Sequence, residues 1–175
     1  MNEPQRAWPL AFFITFTCYG TWLHGRENGS VDKGHNDFGT PWLPPDPERE
    51  KAMRDRMDQP PYLLDEPRRR LVLQSIRNVC IYRGWQLLAL HVRSNHVHCV
   101  VQGEVDPERI MNDFKSYASR ALNEANLDEK GRKRWTRHGS TEYLWTPERV
   151  ESAVNYTLHQ QGKPMEVYQP TEPRP

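Results

Sequence analysis

The sequence lacks any long run of apolar residues, and its first residues, MNEPQRAWPL, lack the charged-then-apolar order of a secretory signal peptide. No stretch approaches the roughly 20 apolar residues that a membrane span needs. These two absences predict a cytoplasmic location. The 175 residues correspond to one ordinary domain that can bury its own hydrophobic core.

Cysteine is also scarce, since the chain has only Cys18, Cys80 and Cys99. Their odd number, wide spacing and apolar surroundings predict buried free thiols rather than a disulfide framework. No C-x-x-C pair occurs, so nothing indicates a zinc ribbon. No G-x-x-x-x-G-K-[ST] motif occurs, so nothing indicates the use of ATP.

The net charge of only +1 gives no global sign of a nucleic-acid partner, but one segment is strongly basic. Residues 130–138, KGRKRWTRH, contain five Lys or Arg and no acid. Such a run with a tryptophan suits a phosphate backbone with a base stacked beside it. The alternative is a solvated loop. The candidate DNA-binding residues in this run are Lys130, Arg132, Lys133, Arg134, Trp135, Arg137 and His138.

Hydrophobic periodicity predicts an α+β domain in which an antiparallel sheet carries packed helices. The predicted strands are 11–23, 85–93, 96–103 and 140–145, and the predicted helices are 65–84, 106–125 and 146–162. This order, β-α-β-β-α-β plus a C-terminal helix, is that of a ferredoxin-like fold. We predict one domain over 1–165, with a long loop insertion at 25–62 that includes a short helix at 48–57, and a disordered tail over 166–175.

Two histidines stand one residue apart in SNHVHCVVQG, residues 94–103. Side chains at i and i+2 of a strand share a face, so His96 and His98 stand together while Val97 and Cys99 face the other way. Two neutral imidazoles about 6–7 Å apart along a strand can bind one divalent ion, and imidazole suits Mn²⁺ or Zn²⁺ better than Mg²⁺. Two ligands leave coordination positions open for a substrate. The alternative is a surface pair that binds no metal.

A two-residue turn at Ser94-Asn95 would bring a third histidine to the pair. In that register His91 lies directly opposite His98, and residues directly opposite each other share a face. His91 is then a third ligand or a neighbour that tunes the site. A bulge at the turn would shift the register and remove this relation.

A tyrosine on the second predicted helix is the candidate nucleophile. Helical spacing places Tyr117 at the rim of an apolar stripe, where the ring packs and the hydroxyl stays accessible. Cations stabilise a phenolate, and Lys115 and Arg120 are close in sequence, with Arg120 pointing roughly the same way. Both cations are also candidate DNA-binding residues. The alternative is an ordinary tyrosine at the edge of the core. Tyr143 and Tyr156 are rivals for which packing is the favoured interpretation.

The motif NHVH on a strand, followed by FKSYASRAL on a helix, resembles the HUH single-strand transposases. More narrowly, the chain resembles the REP-associated tyrosine transposases. FFITFTCYGTWLHGRENGSVD, WQLLALHVRSNHVHCVV and GSTEYLW carry the same resemblance, which covers roughly residues 11–162.

The resemblance implies a metal-dependent endonuclease and transposase that acts on single-stranded DNA bearing REP-like hairpins, as a monomer or homodimer. It assigns Mn²⁺ or Mg²⁺ to His96 and His98, and makes Tyr117 the nucleophile. Attack by the phenol would leave a 5′-phosphotyrosine and a free 3′-hydroxyl that can later rejoin strands. Such covalent chemistry conserves the bond energy.

The chain departs from this family pattern in one place. Members often supply a third polar ligand one turn after the tyrosine, and here that place holds Ala121, which cannot bind a metal. Asp113, His91 or water would have to substitute. Two other functions therefore stay open: a non-catalytic, domesticated protein that binds structured single-stranded DNA or RNA, and a metal-dependent hydrolase of a small phosphodiester.

Overall fold

A computed structural model describes residues 7–22 and 46–170 of the chain. The strands are β1 (Ala11–Thr17), β2 (Gln86–Val92), β3 (His96–Gln102), β4 (Ser140–Leu144) and β5 (Glu166–Tyr168). The helices are α1 (Pro47–Asp55), α2 (Glu66–Arg83), α3 (Pro107–Glu124) and α4 (Pro147–His159). Within these two ranges no helix combines the length and the apolar character needed to cross a membrane.

The five strands form one antiparallel sheet in the order β4-β1-β3-β2-β5. Its first four strands have the order that the ferredoxin-like prediction requires, so the fold prediction is confirmed. β5 is an addition at the edge of β2. The tail prediction is wrong for residues 166–168, because they pair with β2 instead of being disordered. Residues 23–45 of the predicted loop region and residues 171–175 of the tail lie outside the described residues.

Helix boundaries follow ordinary capping chemistry. Asp65 begins α2, and its side chain accepts a hydrogen bond from the backbone N–H of Arg68 at 3.1 Å. Gly84 ends the helix in the left-handed conformation, with φ of 70°. Thr146 caps α4 in the same way as Asp65 caps α2. Short polar side chains therefore fix where each of these helices starts.

The two faces of the sheet carry different layers. One face packs against α2 and α3, and we call it the core face; its β3 residues are Val97, Cys99 and Val101. The other face packs against α4 and includes Val100 of β3. Because strand residues alternate, His96 and His98 lie on this second face, which we call the histidine face.

Gly139 lies where the chain between Trp135 and β4 passes close to β1. A Cβ at this position would come within 2.4 Å of both the Sδ atom of Met111 and the carbonyl oxygen of Thr15. We expect Gly139→Ala to lower the free energy of unfolding by about 1–3 kcal/mol, because overpacking forces neighbouring groups to shift. Urea denaturation measures the loss, with the neighbouring Ser140→Ala as the control that should change little. Equal stability of the two variants would contradict the close approach.

Candidate active site on the histidine face

The histidine pair lies at the end of β3 next to a tight turn. Arg93 donates its backbone N–H to the carbonyl of His96 at 2.9 Å, and His91 is paired with His98 across β2 and β3. The predicted two-residue turn and its register are therefore confirmed; the irregularity in β2 lies further away, between Leu87 and Ala89. The rings of His96 and His98 are 4.6 Å apart between centroids and inclined by 74°.

Each imidazole is held by a hydrogen bond at Nδ1. His96 Nδ1 is 2.7 Å from Oδ1 of Asn95, and because a carbonyl oxygen only accepts, this nitrogen carries the proton. His98 Nδ1 is 2.7 Å from Oγ1 of Thr15 on β1. Metal-binding histidines are commonly oriented through their second nitrogen in this way. The arrangement points Nε2 of His96 outward as a lone-pair donor.

Burial keeps both rings neutral. It lowers the pKa of His96 to about 4, with Arg93 and His91 adding to the effect. It lowers the pKa of His98 to about 3, with His96 and His91 adding. Hydrogen bonding to the Gln161 side chain, whose amide oxygen accepts from the protonated ring, partly opposes both shifts. Neutral imidazole is the form that binds a metal ion.

These shifts predict an acid-sensitive fold when metal is kept away with EDTA. Both folded-state pKa values lie below the ordinary 6.5, so the unfolded chain binds more protons as the pH falls below about 6.5. Stability is then lost from pH 6.5 down to the folded values, at about 1.4 kcal/mol per pH unit for each histidine. Urea denaturation at pH 7 and pH 5 measures the loss. His98→Gln should show a smaller decrease; the same decrease as in the wild type would exclude this cause.

His91 is fully buried and both of its ring nitrogens have protein partners. Nδ1 is 3.0 Å from the carbonyl oxygen of Thr157 on α4, and Nε2 accepts the backbone N–H of Met165 at 3.2 Å. A metal ion could bind His91 only by displacing one of these contacts. The structure therefore contradicts the idea of His91 as a ready third ligand, and instead uses it to attach α4 and the segment before β5 to the sheet.

Tyr117 lies on the wrong side of the sheet for the predicted site. Its ring packs against the core that α2 and α3 share with the core face, and the guanidinium of Arg120 lies 4.7 Å from its centroid. The sheet separates it from His96 and His98. The prediction that this phenol meets the histidines is wrong, because α3 packs on the opposite face.

Tyr156 is the tyrosine that the fold brings to the histidine pair. Its ring makes edge contacts with the rings of His98 and Phe13, at centroid separations of 5.8 and 5.9 Å. The residue is 41% exposed and therefore accessible to a substrate. Gln161, just past the end of α4, donates its amide to the carbonyl of Tyr156 at 3.3 Å. One helix end thus supplies a phenol and an amide next to two imidazoles.

The packing of α4 explains this placement. Val150, Ala153, Val154 and Leu158 bury one stripe of the helix against the histidine face. Tyr156 lies on the flank of that stripe. The order of elements in the sequence already indicated this placement. Right-handed crossovers put the two connecting helices, α2 and α3, on one face of the sheet, so that only α4 is left for the other face.

Asp113, the other suggested ligand, is engaged elsewhere. Its carboxylate forms an ion pair with Arg83 of α2 at 3.0 Å, between the two helices of the core face. It therefore cannot complete a site that includes His96 and His98.

Much of the basic segment serves the fold. Lys115 is buried and donates to the carbonyls of Thr136 and His138 at 3.0 and 3.2 Å. Trp135 donates its indole N–H to Ser119 at 3.0 Å and packs edge-on against Phe16. The predictions that Lys115 and Trp135 contact DNA are therefore wrong for this conformation.

The arginines and lysines of the segment divide into two groups. Arg134 is buried and bound to Asp128 at 2.8 Å, Arg132 donates to Gln59 at 2.9 Å, and Lys133 forms an ion pair with Asp58. Lys133 is exposed as well as paired, whereas Lys130, Arg137 and His138 are exposed and take part in no ion pair within the described ranges. Their contact with DNA stays a prediction, as does that of Arg120.

Among residues 7–22 and 46–170, no cluster of three or more His, Cys, Asp or Glu side chains could hold a metal ion. The histidine face instead offers a mixed donor set, consisting of the imidazoles of His96 and His98 and the amide oxygen of Gln161. Imidazole and amide oxygen are both donors that Mn²⁺ accepts.

Sequence comparison identifies the family. A family model described as "Transposase IS200 like" matches residues 60–148, half of the chain. The chain therefore belongs to the IS200-like transposase family. Searching the curated proteins gave no match.

Two solved structures are similar in part. One is described as a REP-associated tyrosine transposase bound to a REP hairpin; it is 12% identical, with a TM-score of 0.47, covering 91% of this chain and 72% of the other. The second is a candidate transposase from Deinococcus radiodurans R1, 13% identical with a TM-score of 0.43, covering 87% of this chain and 92% of the other.

Proposed function

We propose that the chain is a tyrosine nuclease and strand transferase that nicks and rejoins single-stranded DNA, with Tyr156 as its nucleophile. The observation that carries this is the contact between Tyr156 and His98 on the histidine face. The family membership supplies the class of reaction. This replaces Tyr117 with a residue that lies next to the imidazoles.

The new assignment also removes the departure from the family pattern. The position one turn after Tyr156 holds Gln160, followed by Gln161, whereas the position one turn after Tyr117 holds Ala121. Gln161 raises the pKa values of both histidines through its side chain, which supports an amide oxygen close to the two imidazoles. We therefore propose an amide oxygen of the Gln160-Gln161 pair as the third ligand, because an amide oxygen can bind a metal.

The donor set fits a divalent metal ion, Mn²⁺ better than Mg²⁺. His96, His98 and Gln161 would hold it, and neither Asn95 nor Thr15 would have to move, because both bond to Nδ1. A bound ion would supply Lewis-acid polarisation of a phosphate oxygen.

The chain's own residues carry the covalent step. The phenol oxygen of Tyr156 attacks a phosphorus atom of the DNA backbone, and a P–O bond to the phenol forms while the P–O3′ bond breaks. The phenol proton ends on the departing 3′ oxygen, which becomes a hydroxyl. The 5′ phosphate remains on Tyr156 as a phosphodiester, so reversal by a 3′-hydroxyl rejoins strands without an added energy source.

The substrate we propose is single-stranded DNA with a hairpin, recognised partly by charge. The exposed Lys130, Arg137 and His138 lie on the segment that joins α3 to β4. Thr136 of this segment bonds to Thr17, which is paired with His96 across the sheet. A phosphate backbone lying along this segment would therefore continue toward the histidine pair.

The test is a denaturing gel of the protein incubated with Mn²⁺ and a hairpin oligonucleotide. A strand labelled at its 3′ end should give a labelled protein band, because the 5′ phosphate of that fragment stays on the enzyme. A strand labelled at its 5′ end should give only a shorter free strand. Addition of EDTA should abolish both products. A labelled protein band from the 5′-labelled strand would contradict the proposed polarity.

A non-catalytic binder of structured nucleic acid is the second candidate. In the part of the chain that the structure describes, no cluster of acidic ligands joins the histidine pair, and this favours the binder because few negative charges would hold the ion. It predicts salt-sensitive binding that EDTA leaves unchanged, with no covalent adduct. The same gel, run beside a binding assay, separates the two functions.

A further inference from the structure

Arg93 lies at the histidine face without an acidic partner among the ion pairs of the described residues. It is half-buried and directly follows β2, and its backbone pairing with His96 places both side chains on the same face. The guanidinium is fixed from one side, since Nη1 donates to the carbonyl of Lys163 at 3.1 Å. One donor of five is thereby used, and the rest of the planar group is available.

The turn after α4 lies beside this guanidinium. Gly162 has a φ of 73°, in the left-handed region that favours glycine, and a Cβ at this position would lie 3.9 Å from Nη2 of Arg93. The same turn carries Gln161. Arg93 is therefore held at the point where the end of α4 and the end of β3 meet.

The charges around the histidine pair favour the binding of an anion. Within residues 7–22 and 46–170, the charged or titratable groups that act on the pKa values of His91, His96 and His98 are Arg93 and the histidines themselves, with no carboxylate among them. A half-buried guanidinium without a counter-charge is unfavourable, and a bound divalent cation would make it more so. A phosphodiester oxygen carries the missing negative charge.

We propose that Arg93 binds a backbone phosphate of the DNA next to the histidine pair, and stabilises the negative charge there during strand cleavage. This deepens the proposed function and rests on it for the cleavage step. A guanidinium held by one carbonyl is preorganised, so it needs little rearrangement when the phosphate arrives. Arg93 would then be a catalytic residue that no local motif identifies.

The experiment tests whether the Arg93 side chain contacts one particular phosphate of the DNA. Hairpin oligonucleotides are made with a neutral methylphosphonate at successive positions around the nick, and binding in EDTA and adduct formation in Mn²⁺ are measured. The proteins are wild type, Arg93→Gln, Arg93→Lys and the control Arg109→Gln, an exposed arginine on α3. Thermal unfolding first confirms that each variant is folded.

We expect one methylphosphonate position to weaken wild-type binding and to have little further effect on Arg93→Gln. On unmodified DNA, Arg93→Gln should slow adduct formation by about tenfold or more, the effect of losing one preorganised donor. Its slope of log affinity against log salt should fall by roughly 0.7, as for one phosphate contact on a single strand. Arg93→Lys should recover part of both effects, and Arg109→Gln should behave as the wild type.

The outcomes distinguish this inference from the proposed function. Position-specific coupling in binding without any adduct supports Arg93 and overturns the nuclease. Adducts with equal losses at every methylphosphonate position in wild type and Arg93→Gln support the nuclease and overturn the role of Arg93. A wild-type chain that neither binds nor cuts the hairpin overturns both.

Discussion

Tyr156→Phe abolishes the covalent protein–DNA adduct, whereas Tyr117→Phe leaves it unchanged. This is the largest effect that the structure predicts. Removal of the phenol oxygen removes the atom that forms the bond to phosphorus, and neither water nor Tyr117 can occupy its place as a covalent acceptor. Tyr156 lies against His98, while Tyr117 lies across the sheet from it.

The comparison is well matched, because each substitution removes one hydroxyl from a partly buried tyrosine on a helix. Adduct yield on a denaturing gel measures the effect, and binding of the same hairpin DNA shows that each variant is folded. We expect Tyr156→Phe to bind DNA nearly as well as the wild type. Loss of the adduct in Tyr117→Phe but not in Tyr156→Phe would show that Tyr117 on α3 is the nucleophile, and would contradict the assignment of Tyr156.

Asp128→Ala destabilises the fold by about 3–5 kcal/mol, the usual result of leaving a buried charge without its partner. Asp128 accepts from buried Arg134 at 2.8 Å, from Arg68 at 2.9 Å and from the hydroxyl of Tyr62 at 2.8 Å. Its carboxylate therefore joins the segment after α3 to the start of α2. Removal of the carboxylate leaves two guanidinium groups facing one another.

Chemical denaturation measures this loss, and Asp58→Ala is the matched control. Asp58 also pairs with a cation of the basic segment, Lys133, but at the surface, so its removal should have a much smaller effect. The double variant Asp128→Leu/Arg134→Met should regain part of the stability, since an apolar pair can replace a buried ion pair. Similar losses for Asp58→Ala and Asp128→Ala would show that burial of the pair contributes nothing.

The fold could be predicted because its elements are local and periodic. Local patterns predict most of the elements. They are the helical spacing of apolar residues in α2 and α3, the proline at the start of α3 and of α4, and the alternation of residues in β2 and β3. β5 could not be predicted in this way, because three residues show no alternation. Its pairing with β2 depends on where the chain returns after α4.

Only the histidine pair of the candidate site could be predicted from the sequence. His96 and His98 share a face by strand geometry alone, so the pair could be identified from two adjacent positions. The tyrosine could not, because its selection requires the face on which each helix packs. Spacing along the chain favoured Tyr117, whereas the tertiary fold brings Tyr156.

The prediction that the whole basic segment, residues 130–138, contacts DNA failed for a related reason. Its own sequence contains no acid, but Asp128 precedes Arg134 by six positions, and Asp58 lies 75 positions before Lys133. Such distant partners are invisible in a local count of charge. A basic run therefore indicates a nucleic-acid surface only through those cations that form no ion pair within the protein.

The most direct test of the central claim is mass spectrometry of the purified protein–DNA adduct after digestion with nuclease and trypsin. The account predicts a nucleotide attached to Tyr156, in the peptide that begins at Val150. A nucleotide attached to Tyr117, in the peptide that begins at Ser116, would contradict it.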